Sequence, residues 1–148
     1  MKIRPLGARD IASVLEIQAA CPEIAQWTAW DYDRVARGEM AGWVAAEGVH
    51  DGEIAGFIVA RRVANDIEIL NFAVRLDARR HGVGTLLMEQ ALAWARSYHA
   101  DSVFLEVRAS NEAALRFYER HRFESSGRRT RYYIAPFEDA VLLSARLT

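Results

Sequence analysis

The sequence predicts an α/β domain organised around a parallel βαβ crossover. Three observations carry this. The apolar stretch 67–74 reads as a strand, and it leads through Arg79-Arg80-His81-Gly82-Val83-Gly84-Thr85 into Leu87, Ala91, Trp94, Ala95 and Tyr98, spaced as one helical face. A short, largely apolar strand over 102–107 follows that helix. No Gly/Ser/Pro-rich linker, repeat or low-complexity segment interrupts the 148 residues, so the expectation is a single domain over 1–148. Strands joined through a helix should be parallel neighbours with a ligand at their carboxyl ends.

Taken in order, the chain alternates helices and strands. Asp10 is placed to cap a helix running through Ala20, with Ile11, Val14, Leu15 and Gln18 on one side. A second helix starts at a Thr-x-x-acid capping pattern, Thr28 and Asp31, with Trp27 and Tyr32 at the hydrophobic-staple positions. Residues 43–47 and 53–62 read as strands joined by a turn containing His50, Asp51 and Gly52. After the crossover come a helix over 111–120 and strands near 128–133 and 140–146.

Composition narrows the classes. At 51% hydrophobic and 26% charged, the chain reads as an ordinary globular protein. It has no apolar run near the roughly 18 residues of a membrane-spanning helix, and Met1-Lys2-Ile3-Arg4-Pro5 lacks a signal-peptide core, so a cytoplasmic protein without a membrane role is expected. Cys21 is the sole cysteine, and His50, His81, His99 and His121 show no ligand spacing; no metal is expected. Lys2 is the sole lysine, which argues against Schiff-base chemistry. The net charge of −1 hides an asymmetry: residues 1–74 carry −4 and residues 75–131 carry +4. The half with the glycine loop is the positive half, as an anionic cofactor would favour, although solvated arginines would give the same balance. No extended basic stripe interleaved with aromatics is present, so no nucleic-acid partner is expected.

A strand running through two glycines into a helix aims backbone N–H groups and the positive helix end at one point, a phosphate-binding geometry. A plain turn at the start of a helix is the alternative. The loop lacks the third glycine of a dinucleotide fingerprint and the Lys-Ser or Lys-Thr of a Walker loop. Arg-x-x-Gly-x-Gly at this junction resembles instead the acetyl-CoA pyrophosphate loop of the GNAT N-acetyltransferases. The run Leu105-Glu106-Val107-Arg108-Ala109-Ser110-Asn111-Glu112-Ala113-Ala114-Leu115-Arg116-Phe117-Tyr118 is more specific. It resembles the branch of bacterial ribosomal-protein-alanine N-acetyltransferases and their archaeal relatives, as does the Arg-Arg-x-x-Tyr-Tyr … Glu-Asp-Ala tail.

The resemblance covers about residues 67–143 and implies a mixed, mostly antiparallel sheet with the parallel crossover at its centre and helices on both faces. It implies acetyl-CoA as co-substrate and an acceptor that is a protein N-terminus or peptide, possibly of a ribosomal protein. Phe72, Ala73 and Val74 would meet the pantetheine arm through their backbone. Arg80, His81, Gly82, Val83, Gly84 and Thr85 would hold the pyrophosphate through backbone N–H groups, with Arg79 a further cofactor-binding residue, and Asn111 would bond the pantetheine. Glu106 would be the general base and Tyr118 the general acid. That pairing suits the chemistry: an amine attacks a thioester only when unprotonated, and the departing thiolate needs a proton. Seven residues separate Asn111 from Tyr118, two helical turns, so they share a face. Trp27, Tyr32, Tyr132 and Tyr133 are candidate walls of an acceptor groove. An acetyltransferase for a small amine, or a silent CoA-binding regulator, are the competing readings. One departure stands out: where the family's helix ends in Gly-Phe, this chain has Arg122-Phe123, so the turn is expected to be strained or built differently.

Overall fold

The computed structural model describes residues 1–48, 53–134 and 137–147. Within them lie strands β1 (Lys2–Pro5), β2 (Ala41–Glu47), β3 (Glu53–Val63), β4 (Asp66–Val74), β5 (Ser102–Arg108), β6 (Glu124–Ile134) and β7 (Phe137–Arg146). Helices α1 (Ile11–Ala19), α2 (Ala29–Ala36), α3 (Val83–Ser97) and α4 (Glu112–Arg120) accompany them. The strands form one sheet in the order β1-β2-β3-β4-β5-β7-β6. Its neighbours are antiparallel except β4 and β5, which are parallel around α3. The mixed sheet expected from the resemblance is therefore present.

Two apolar layers sandwich the sheet. On one face Leu87, Met88, Ala91 and Ala95 of α3 and Tyr118 of α4 pack on Ile58, Ile67, Ile69, Val103 and Leu105. On the other, Val14 and Ile17 of α1 and Tyr32 and Val35 of α2 pack on Val44, Phe57 and Val59. The single-face spacing expected for α3 holds for Leu87, Ala91 and Ala95. Trp94 and Tyr98 extend it outward as an edge-to-face pair, with ring centroids 5.2 Å apart and Arg62 over Tyr98 at 4.3 Å.

The start of α2 forms as the sequence predicts. Thr28 N–H donates to Asp31 Oδ2 at 2.8 Å, Asp31 N–H donates to Thr28 Oγ1 at 3.2 Å, and the Trp27 and Tyr32 rings meet at 5.3 Å. Asp10 does not cap α1 as expected. A 3-10 turn at Ala8–Asp10 precedes the helix, and the Asp10 carboxylate turns back to Gly7 N–H at 2.8 Å and to Arg4 at 2.8 and 2.9 Å. Burial alone would raise the Asp10 pKa, but these donors outweigh it and hold it below the usual carboxylate range. Edge strand β1 went unread because four residues ending at a proline carry no alternation signal. The last two strands are longer than expected, since Ser125 and Glu138 carry little β propensity of their own and are held by pairing, while Ser126 sits at a register shift and its hydroxyl donates to Leu142 C=O at 3.3 Å. The predicted turn at His50-Asp51-Gly52 lies outside the described residues.

Arg122 settles the question at the end of α4. Its φ is +67°, left-handed, yet the turn closes as a Schellman cap. Phe123 N–H donates to Tyr118 C=O and Arg122 N–H to Glu119 C=O, both at 3.0 Å, while the Tyr118 and Phe123 rings pack 5.5 Å apart. The usual turn is thus kept, and a non-glycine residue absorbs its strain.

Candidate active site

The site begins where the sheet comes apart. β4 and β5 pair only from Asp66↔Ser102 to Glu68↔Phe104. Just beyond, Val59 faces Asn71 and Ala60 faces Ile69, so Leu70 is an extra residue, a bulge that bends β4. The bulge resets the alternation: Ile67 and Ile69 belong to the α3 face, and Phe72 and Val74 return to it three residues later. A cavity of about 990 Å³ opens between the parted strands.

Buried polar groups brace the bulge. Asn71 Nδ2 donates to Ala25 C=O and to the Tyr32 hydroxyl, both at 3.0 Å, and Asn71 Oδ1 accepts from Phe72 N–H at 3.1 Å. The Tyr32 hydroxyl donates to Gln18 Oε1 at 2.5 Å, and Gln18 bonds both backbone groups of Trp27. Tyr32 is therefore no groove wall, as the sequence reading had it. It is fully buried beneath the α1–α2 loop, and burial raises its phenol pKa well above the usual value despite the Asn71 donor. Trp27, its staple partner, does line the cavity.

Phe72, Ala73 and Val74 line the cavity. Arg75 N–H donates across to Ala55 C=O at 2.7 Å, and alternate residues of an antiparallel pair face the same way, so the backbone groups of Phe72 and Val74 turn into the gap. Arg79, Arg80, Gly82, Val83, Gly84 and Thr85 follow along the same wall. His81 points elsewhere, into a separate hollow of about 280 Å³ beside Glu47 and Asp77. The two glycines serve different ends. Gly82 has φ +81° and a Cβ there would meet nothing within 4 Å, leaving open space over the first amides of α3. At Gly84 a Cβ would come within 3.1 Å of Phe117 Cε2 and 3.4 Å of Phe72 Cζ, so this glycine lets α4 approach α3. Asn111 caps α4, its Oδ1 accepting from Ala114 N–H at 3.2 Å; it also lines the cavity.

Glu106 and Tyr118 reach the cavity from opposite faces of the sheet. Along β5, Val103, Leu105 and Val107 are buried towards α3, so Glu106 projects to the other side; Tyr118 belongs to the α3 layer. Burial raises the Tyr118 phenol far above its usual value, and nearby Tyr133 adds to the shift. Tyr133 is raised by burial and then by the Glu106 carboxylate, with Arg108 opposing. Glu106, Tyr118 and Tyr133 thus converge, with Tyr132 beside them.

Several site residues escaped the sequence reading. Arg129 Nε lies 3.0 Å from Glu106 Oε1, so the candidate base starts out ion-paired. A second bulge sits in β6, where Arg129 faces Ala140 and Tyr133 faces Glu138. Asp139 staples it, accepting Arg131 N–H at 2.9 Å and Arg128 Nε at 2.6 Å. Arg108 stacks under the Tyr133 ring at 4.2 Å and bonds Glu138 at 2.9 Å. The Arg-Arg-x-x-Tyr-Tyr … Glu-Asp-Ala tail was the available signal, but its carboxylates read as ordinary strand residues without the register.

Sheet order, a lone parallel pair and a cavity at its split define a class, and the chain belongs to the acetyltransferase (GNAT) family, which it matches over residues 11–123. It is an acetyl-CoA-dependent N-acetyltransferase. Among its relatives, the ribosomal protein bS18-alanine N-acetyltransferase of Escherichia coli (strain K12) is 28% identical over 117 residues, 78% of this chain and 79% of that one. An N-alpha-acetyltransferase of Sulfurisphaera tokodaii is 33% identical over 110 residues, 66% of this chain and 65% of that one. The fold matches the crystal structure of the Escherichia coli ribosomal-protein-S18-alanine N-acetyltransferase with a TM-score of 0.84 at 24% identity, covering 99% of this chain and 94% of that one. Among the described residues no helix is long and apolar enough to cross a membrane, and no group of three or more His, Cys, Asp or Glu is placed to hold a metal.

Proposed function

We propose that this enzyme transfers acetyl from acetyl-CoA to the α-amino group of a protein N-terminus. The observation that carries the reading is the convergence of Glu106 and Tyr118 on one cavity from opposite sides of the sheet. The cofactor lies along the β4 backbone and the loop over residues 80–85, on the α3 side. The acceptor comes from the side of Glu106, Trp27, Tyr132 and Tyr133. The amine arrives neutral, Arg129 gives way, and Glu106 takes one proton from the amine nitrogen as it attacks, directly or through water. The amine nitrogen bonds to the thioester carbonyl carbon, the carbon–sulfur bond breaks, and Tyr118 protonates the departing thiolate. The names of the bacterial and archaeal relatives support the same class of acceptor.

Proton availability favours the α-amine. Its reference pKa is about 7.7–8.0 against about 10.4 for lysine, so at pH 7 it is unprotonated some hundreds of times more often. A peptide with a small N-terminal residue and an internal lysine is expected to be acetylated at its α-amine, read by fragment mass spectrometry. Modification chiefly at lysine, or consumption of spermidine with neither site modified, overturns the reading in favour of a small-amine enzyme. Glu106→Gln and Tyr118→Phe should each lower turnover at saturating acetyl-CoA within the general acid–base range of about 10²–10⁴-fold. Full turnover in both would remove them from the chemistry.

A further inference from the structure

Of the five arginines lining the cavity, three have no carboxylate partner among the described residues. Arg61 is paired with Glu68 at 2.8 Å, and Arg79 is engaged by Glu23 at 3.7 Å and Cys21 Sγ at 3.2 Å. Arg80, Arg116 and Arg120 are left without one. Arg116 and Arg120 are four residues apart, so they share one face of α4, and like charges at that spacing repel. The adjacent Phe117 packs on Phe72 at 5.4 Å and against the Gly84 backbone, which holds α4 beside the loop, and Arg116 and Arg120 line the same cavity as Arg80.

Coenzyme A presents two anionic groups: the pyrophosphate, and a separate monoester on the ribose 3′-hydroxyl. A monoester carries about −1.5 to −2 at pH 7. Backbone N–H groups of the glycine loop suit the pyrophosphate, which leaves Arg116 and Arg120, with no carboxylate within salt-bridge distance among the described residues, to the second group. We propose that Arg116 and Arg120, facing Arg80, bind the 3′-phosphate, so that this enzyme distinguishes coenzyme A from 3′-dephospho-coenzyme A. The proposal rests on the cofactor reading of the cleft. Paired guanidinium donors match a phosphate, and a dianion relieves their mutual repulsion.

Titration calorimetry with the two cofactor forms tests it. Wild-type protein should bind coenzyme A about tenfold tighter than the dephospho form, a modest preference because the arginines are exposed. The Arg116→Gln/Arg120→Gln double variant should abolish that preference and bind the dephospho form as wild type does. Raising the salt should weaken coenzyme A more than its dephospho form. Equal affinity of wild type for both forms overturns the proposal, as does a double variant that loses both equally with an unchanged melting temperature. Binding of neither form by wild type overturns the cofactor reading itself, a distinguishable result.

Discussion

Tyr118 shows burial deciding a residue's chemistry. Its phenol sits in the α3 layer, and desolvation, with Tyr133 adding to it, raises the pKa well above the usual phenol value, so the proton stays on in alkaline solution where a free tyrosine loses it. The same shift has a thermodynamic consequence. Tyr118 and Tyr32 both have folded pKa values raised above the unfolded reference of about 10. Their contribution is complete below that pH and is lost as pH rises past it, because only the unfolded chain releases the protons. Melting temperature should therefore fall steeply above pH 10, and Tyr118→Phe and Tyr32→Phe should each flatten the fall. Arg122 makes the opposite point, that a position can be wrong for its residue. Its left-handed backbone costs about 1–2 kcal/mol that a glycine would not incur. Arg122→Gly should raise stability by about 1 kcal/mol, a melting shift of a few degrees, in a thermal scan. The sequence announced this strain through the missing glycine, but Tyr32 misled it. An aromatic at a staple position gives no sign of whether it faces a groove or closes a buried network, which depends on Asn71, 39 residues away.

Elements place the site through two bulges rather than through regular pairing. The crossover, the loop and the four helices were legible because periodicity and capping are local signals. The bulges at Leu70 and between Arg129 and Tyr133 were not, since each exists only as a mismatch between two strands. The second one yields a sharp expectation. Asp139 holds the bulge that carries Tyr132 and Tyr133, and those donors keep its own pKa below the usual range. Asp139→Ala should raise the acceptor KM while leaving cofactor affinity unchanged in calorimetry. Gly84→Ala should do the reverse. Its methyl group would wedge α4 off α3, costing about 1–3 kcal/mol in denaturant unfolding and weakening the cofactor more than the acceptor.

At the scale of the whole molecule, the charge asymmetry and the sandwich agree. The acidic half supplies α1, α2 and the loop with Trp27, and the arginine-rich half supplies the glycine loop and α4. On the proposed reading, a cationic amine and an anionic nucleotide would meet complementary ends of the cavity. Screening should reveal this: added salt is expected to lower the on-rates of both substrates in stopped-flow binding while leaving the single-turnover chemical rate nearly constant.

The three-residue ladder joining β4 to β5 also bears on how long a copy of this enzyme survives. Beyond Glu68 and Phe104 the inner edges of the sheet have no strand between them, so the halves of the molecule are stitched there mainly by side chains. On the proposed path along Val74, acetyl-CoA would act as a surrogate strand and close the seam. Deuterium uptake at the amides of β4 and β5 should slow when acetyl-CoA is added, and limited proteolysis should spare the loaded form. Persistence of this protein would then follow the supply of its own co-substrate, with idle copies the first to be cut.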